Sequence, residues 1–269
     1  MQHIHAEEYV SALQTHYADL PWTQEAAAAL AEVPFDRGAP NRYQKPTERI
    51  NDGVTGWITH SFGPRRYNIS RVYKGLLCGK SPIDLWLYSA NIWEVKPRTI
   101  IELGSFQGGS ALWLIDQAQA MGLDCSVHSF DILDKAVSPR ANHPRLRFHH
   151  ADLKQLETFD VGLLESLPHP WIVIDDAHVN ILNTLSMFRQ HMQPGDYFIK
   201  EDTDGLGTAG EAFEYLSLAE KLGFWVDGVF VDGFGFNVTT ARNTWFTLRS
   251  SEPHVHVHGS SRDITWDPL

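Results

Sequence analysis

The stretch from Thr99 to Ser110 constrains this chain more than any other. Thr99, Ile100, Ile101, Glu102 and Leu103 make an apolar run broken by one acid, and Gly104-Ser105-Phe106-Gln107-Gly108-Gly109-Ser110 follows at once. A helix-forming segment, 111–120, comes next. Strand, tight turn and helix open a βαβ unit, and such units build parallel sheets covered by helices. Glycines let the turn adopt backbone conformations closed to other residues and bring main-chain N–H groups close to a ligand. No Lys-Ser/Thr pair closes the turn, so it is not a phosphate loop. Glycines at 104, 108 and 109 do not match the dinucleotide fingerprint either.

The pattern Glu-x-Gly-x-x-x-Gly-Gly-Ser suits S-adenosylmethionine (SAM). Glu102 can answer the cationic methionine end, Ser110 can bond its carboxylate, and Gly104, Ser105 and Gly108 shape the turn. Any doubly wound α/β protein with a glycine turn would share much of this spacing. From Arg98 onward strands and helices alternate. Strands are expected at 99–103, 126–131, 146–150, 171–174, 196–201, 225–231 and 244–249. Helices are expected at 109–121, within 132–142, and at 154–165, 180–192 and 208–222. The last two strands leave no room for a helix and are expected to pair antiparallel around Gly233 and Gly235. The fold class is thus α/β: a Rossmann-like, doubly wound, seven-stranded sheet of the class I SAM-dependent methyltransferase kind, with an N-terminal helical extension.

Three regions are expected: 1–95 as a helical and lid region, 96–250 as the SAM-binding domain, and 251–269 as a tail. Residues 6–20 and 24–32 have helical patterning, and a helix starting at Lys80-Ser81-Pro82 ends before Pro97. The aromatic segment 55–68 reads as a lid or as a packed surface loop. In the tail, His254, His256 and His258 share one face if extended, which fits a metal site or a solvated tail. A hydrophobic content of 43% supports an ordinary core, and a net charge of −11 argues against a nucleic-acid partner. Cys78 and Cys125 are too few for a disulfide framework or a cysteine zinc site. The sequence shows no secretory start and no run of membrane-spanning length, so a cytoplasmic, membrane-free protein is expected.

In open parallel sheets ligands bind beyond the carboxyl ends of the strands. Those ends carry Glu102, Asp131, Asp152, Asp175-Asp176-Ala177-His178 and Glu201-Asp202. Asp131 is placed for ribose hydroxyls and Asp152 for the neighbourhood of an adenine. Asp175, Glu201 and Asp202 are expected to converge. Packed carboxylates repel unless a cation balances them, and hard oxygen ligands select Mg²⁺, with Ca²⁺ or Mn²⁺ as alternatives. Helix caps are the plainer reading of the same acids. His178 reads as a general base on a substrate hydroxyl or as a structural histidine.

At these residues the chain resembles the cephalosporin hydroxylase family of cephamycin-biosynthesis-type methyltransferases. The similar segments run from Lys74-Gly75-Leu76 to Lys80-Ser81-Pro82, from Pro97 to Gly104, and over Met121-Gly122-Leu123-Asp124-Cys125. They continue from Ile174 to Asn180 and from Gly195 to Asp202, covering about residues 70 to 205. The resemblance implies a class I SAM-dependent methyltransferase fold and a Mg²⁺ ion held by Asp175, Glu201 and Asp202. It also puts Glu102, Ser110 and Asp131 on SAM. The layout is similar to catechol-type O-methyltransferases, in which a lysine stands where this chain has His178. No iron triad of two histidines and a carboxylate at tight spacing is present.

The expectation is a Mg²⁺-dependent O-methyltransferase acting on a hydroxyl of a small metabolite in natural-product biosynthesis, and assembling as a homo-oligomer as relatives suggest. The alternatives are a metal-free SAM methyltransferase acting on a carboxylate or amine, and a non-catalytic SAM-fold subunit.

Overall fold

The computed structural model describes residues 43–49, 72–132, 137–203, 209–235 and 237–250. These lie within the compact unit Asn41–Leu269. The expected helices at 6–20 and 24–32, the aromatic segment 55–68 and the histidine tail lie outside the described residues.

Among the described residues the main sheet has eight strands. In chain order they are β1 (Tyr43–Gln44), β4 (Thr99–Leu103), β5 (Ser126–Asp131), β6 (Leu146–His150), β7 (Trp171–Asp175), β8 (Tyr197–Lys200), β9 (Phe224–Asp227) and β10 (Trp245–Leu248). A separate hairpin pairs β2 (Val72–Tyr73) with β3 (Leu76–Leu77). The spatial order is β1-β9-β10-β8-β7-β4-β5-β6. From β8 to β6 all neighbours are parallel, whereas β10 runs antiparallel to both β8 and β9. The seven expected strands are therefore present with the antiparallel end pair, and β1 joins antiparallel to β9 as an eighth. β4, β7 and β8 are buried along their whole length, as near-continuous apolar strands in a two-sided parallel sheet must be.

Helix α1 (Pro82–Val95) starts where Ser81 Oγ accepts from the Asp84 N–H and ends at Lys96, in the left-handed conformation just before Pro97. Helix α2 (Gly109–Ala120) follows the glycine turn, with most of its surface buried. The expected helix over 154–165 instead splits into a 3-10 turn at Leu156–Thr158 and α3 (Val161–Ser166). The Asp160 carboxylate accepts from the Leu163 N–H and restarts the helix there. Helices α4 (Ile181–Arg189) and α5 (Ala209–Lys221) match their expected places. Residues 137–142 form turns rather than helix, with Ser138 Oγ accepting from the Arg140 N–H.

A short helix, α6 (Gly228–Asp232), stands where the expected strand over 225–231 would have continued. Asp227 causes the break, because its side chain accepts from the Val229 N–H and caps a helical turn. Trp245 of β10 is fully buried, with ring centroids 4.9 Å from Tyr88 and 5.2 Å from Phe230. That stack ties β10 to α1 and α6, and burial of such side chains contributes about 1.5–3 kcal/mol each. Among the described residues no helix is long and apolar enough to cross a membrane.

Candidate active site

Two groups of side chains gather at the carboxyl ends of the parallel strands. The first surrounds the glycine turn. Glu102, the penultimate residue of central strand β4, is fully buried. Ser129 Oγ donates to Glu102 Oε2 at 2.5 Å and is linked to Ser105 Oγ at 2.6 Å. Glu102 Oε1 has no hydrogen-bond partner. Burial pushes the carboxyl up to about 7, against the pull of the Lys80 ammonium and of the Ser110 and Ser129 hydroxyls. An acid this deep, with one oxygen unanswered, is costly unless a donor or cation meets it.

The turn is fixed by its main chain. The Gly104 N–H donates to the Phe130 carbonyl at 2.7 Å and the Gly108 N–H to the Ser105 carbonyl at 2.7 Å. Gly104 has φ +102°, and a Cβ there would sit 2.9 Å from the Asp176 carbonyl oxygen. Beside the turn lies a cavity of about 340 Å³, lined by Gly104, Phe106, Phe130, Asp131, Asp152 and Asp176, among others. That volume is within the range of small-ligand pockets. Asp131 Oδ2 accepts from the Phe106 N–H at 2.8 Å, which fixes the carboxylate at the wall. Asp152 accepts from the Lys154 N–H and from Gln155 Nε2, and these bonds hold its carboxyl below the usual range. Ser105 and Ser110 are buried beneath the turn. Of the seven residues expected around SAM, Gly104, Asp131 and Asp152 line this cavity, while Glu102, Ser105, Gly108 and Ser110 belong to the strand end, turn and helix start next to Gly104.

The second group lies at the ends of β7 and β8, and its membership differs from expectation. Asp176, His178 and Asp202 bring ligand-type atoms within 4.8 Å of one another. The set expected from the sequence was Asp175, Glu201 and Asp202, and only Asp202 of these is in the cluster. Asp175 is the last paired residue of β7 and is fully buried. Its Oδ1 accepts from the Ala177 N–H, Oδ2 is unpartnered, and burial raises its pKa. Glu201 is also buried; it accepts from the Tyr88 hydroxyl and, at 2.6 Å, from Thr240 Oγ1. Successive residues at a strand end point to opposite sides, so Asp176 rather than Asp175 reaches the rim.

Two lysines unforeseen in the sequence organise this half. Lys80, whose side chain is 5% exposed, places Nζ 2.6 Å from Asp176 Oδ2 and 3.4 Å from Glu201 Oε1. Burial alone would raise the Asp176 pKa, but the Lys80 ammonium and the His178 bond outweigh it and hold the group well below the carboxylate range. Asp202 is pushed up, by burial first and then by the charges of Glu201 and Asp176. Lys200 is buried at the end of β8 and donates to the main-chain carbonyls of Asp175 at 3.2 Å and Glu201 at 2.9 Å. A lysine closing the all-buried run Tyr197-Phe198-Ile199 was a readable sign of a buried charge; nothing local marked Lys80.

His178 has φ +56° and a half-exposed side chain. Its Nδ1 lies 3.2 Å from Lys200 Nζ and its Nε2 lies 3.2 Å from Asp176 Oδ1. A protonated lysine can only donate, so this network assigns Nδ1 as acceptor and the proton to Nε2. The Asp176 bond is the main reason the His178 pKa is raised. Both ring nitrogens are thus engaged, and the general-base role expected for His178 has no free lone pair in this arrangement. Among the described residues, the carboxylates of Asp176 and Asp202 are the oxygen donors this cluster offers a hard cation.

A sequence model of the family described as Rhamnosyl O-methyltransferase/CmcI matches residues 65–213, more than half of the 269-residue chain. The chain belongs to this family. Proteins similar to it include the rhamnosyl O-methyltransferase of Mycobacterium leprae (strain TN), 26% identical over 171 residues, which are 60% of this chain and 70% of that protein. The rhamnosyl O-methyltransferase of Mycobacterium tuberculosis (strain ATCC 25618 / H37Rv) is 27% identical over 143 residues, 49% of this chain and 56% of that one. The chain thus spans little more than half the length of the latter. Among solved structures, CmcI-N160 in its apo form superposes with a TM-score of 0.61 at 28% identity, covering 75% of this chain and 86% of that one. The cmcI-D160 structure with Mg and SAM gives 0.59 at 29% identity, with the same coverage. Family and fold together make this chain an O-methyltransferase of the SAM-dependent class.

Proposed function

We propose that this protein transfers the methyl group of SAM to a hydroxyl of a small molecule, with Mg²⁺ at the acidic rim, in the making of a natural product such as a glycosylated metabolite. The unanswered Oε1 of fully buried Glu102, beside a glycine turn and a cavity, carries the reading. Bound SAM would supply an electrophilic methyl on a sulfonium, and bound Mg²⁺ would make an acceptor hydroxyl more acidic. Glu102 would meet the cationic methionine end, and the main-chain N–H groups at the start of α2 would face its carboxylate. Asp131 would take the ribose hydroxyls. Asp176 and Asp202 would hold the cation, while His178, fixed between Lys200 and Asp176, would orient Asp176. The protein's main task is alignment of donor and acceptor, a contribution worth roughly 7–11 kcal/mol in well-oriented reactions.

A metal-free reading draws on Lys80, whose ammonium already neutralises Asp176 and Glu201. The deciding experiment incubates the protein with isotopically labelled SAM and a panel of sugar, phenol, carboxylate and amine acceptors, with Mg²⁺ or EDTA. Methyl ethers formed only with Mg²⁺ support the proposal. Turnover undiminished by EDTA, or labelled esters or methylamines, would sink it.

A further inference from the structure

Lys80 stands immediately before the Ser81 cap of α1, with its side chain closed off from solvent. Its ammonium contacts Asp176 Oδ2 and Glu201 Oε1 at 2.6 and 3.4 Å. The remaining oxygen of Asp176 faces His178 Nε2, and the carboxylate of Glu201 is tied by Tyr88 and Thr240. Every acid on the inner side of the rim therefore has a donor, and one fixed positive charge serves two of them. A hard divalent ion bonds carboxylate oxygens at about 2.0–2.1 Å, so it would need Asp176 oxygens that Lys80 and His178 now share.

We propose that Lys80 is a built-in counter-ion that competes with the divalent cation for Asp176. It sets metal affinity low and keeps the acids balanced whether or not an ion is bound. The inference rests on the magnesium reading above. Two positive charges sharing one carboxylate repel, while loss of the lysine leaves a net-negative pocket that only the ion can neutralise. Removing the ammonium should therefore tighten the ion, not loosen it. A lysine that merely packed the site would do the reverse when removed, because the acids would lose their arrangement.

The test is calorimetric titration of Mg²⁺ and Mn²⁺ into the full chain, wild type against Lys80→Met and Lys80→Arg. The expected result is affinity raised roughly tenfold or more in Lys80→Met, and near the wild-type value in Lys80→Arg, which keeps the charge. Thermal unfolding gives a second readout: Lys80→Met should melt lower than wild type without the ion and gain more from it. If Lys80→Met does not fold, Lys80→Gln carries the same comparison. Equal or weaker binding in the neutral variants, with wild type binding normally, would overturn this inference alone. Tighter binding in Lys80→Arg as well would overturn it by showing that shape, not charge, decides. Binding to none of the proteins would overturn the magnesium reading and this inference together.

Discussion

The two halves of the strand-end rim are built in opposite ways. Around β4 and β5 the main chain does the shaping: a glycine turn packed on the Asp176 carbonyl, and a cavity beside a buried acid with one oxygen unanswered. Around β7 and β8 the shaping is done by charge, with Lys80 and Lys200 reaching buried acids and strand-end carbonyls. The first half leaves Glu102 Oε1 without a partner, whereas the second answers Asp176 and Glu201 with its own lysine and leaves only the inner Asp175 Oδ2 unanswered among its described acids. The lesson is that a cofactor pocket and an acidic rim can abut in one fold and yet respond differently to the same kind of substitution.

The largest effect should come from the charged half. Lys80→Met leaves Asp176 and Glu201 facing each other without a cation, and loss of one partner of such a buried pair costs about 3–5 kcal/mol. Denaturant unfolding without divalent ions checks this; a loss below 1 kcal/mol, on the order of a surface pair, would erase the contrast. Next comes the backbone half. A Cβ on Gly109 would overlap the Leu77 carbonyl of the hairpin, so Gly109→Ala should cost a few kcal/mol, roughly 1–3 in stability as overpacked sites do, and lower SAM affinity with it.

Glu102→Gln sharpens the comparison most directly. Loss of a charged acceptor should weaken SAM by about tenfold to a hundredfold in calorimetry, whereas apo stability should rise near neutral pH. The sign follows from protonation. Glu102 has its folded pKa raised from 4.5 to about 7, so its contribution to stability is full below 4.5 and is lost as pH rises through about 7. That difference corresponds to about 3 kcal/mol, and the glutamine variant should flatten melting temperature against pH across this window. An unchanged profile would mean that the acid is not isolated as described. The smallest effect is at Asp202, whose side chain is 54% exposed. Asp202→Asn should shift stability by less than about 0.5 kcal/mol while weakening Mg²⁺. A large loss of stability there would show that the rim is as interlocked outside as within.

Much of this architecture was readable in the sequence because strand ends, acids and glycines are local signals. β4, β5 and β6 begin and end where their patterns do. The glycine turn announced its own position through the residues that only Gly can replace. What local pattern could not show is facing. Asp175 and Asp176 are neighbours in sequence, yet one ends inside the sheet and the other at the rim, and spacing alone does not choose between them. Lys80 was illegible for another reason: its partners lie 96 and 121 positions away, and a lysine before a helix cap ordinarily points to water. The helix α6 was missed because apolar residues around Gly228 read as a strand, and the Asp-Gly pair that stops it was passed over.

The order of strands in the sheet has one consequence for how this protein can be divided. The family-matching segment ends at residue 213, but the neighbour of β8 is β10, from Trp245 to Leu248, which inserts between β8 and β9. A fragment cut at the end of the match would leave β8 with a bare flank of unpaired peptide groups, and Glu201 without Thr240. The family-matching segment is therefore not an autonomous piece: β10, drawn from well beyond it, completes the sheet beside β8, and Thr240, from the same later stretch, completes the rim at Glu201.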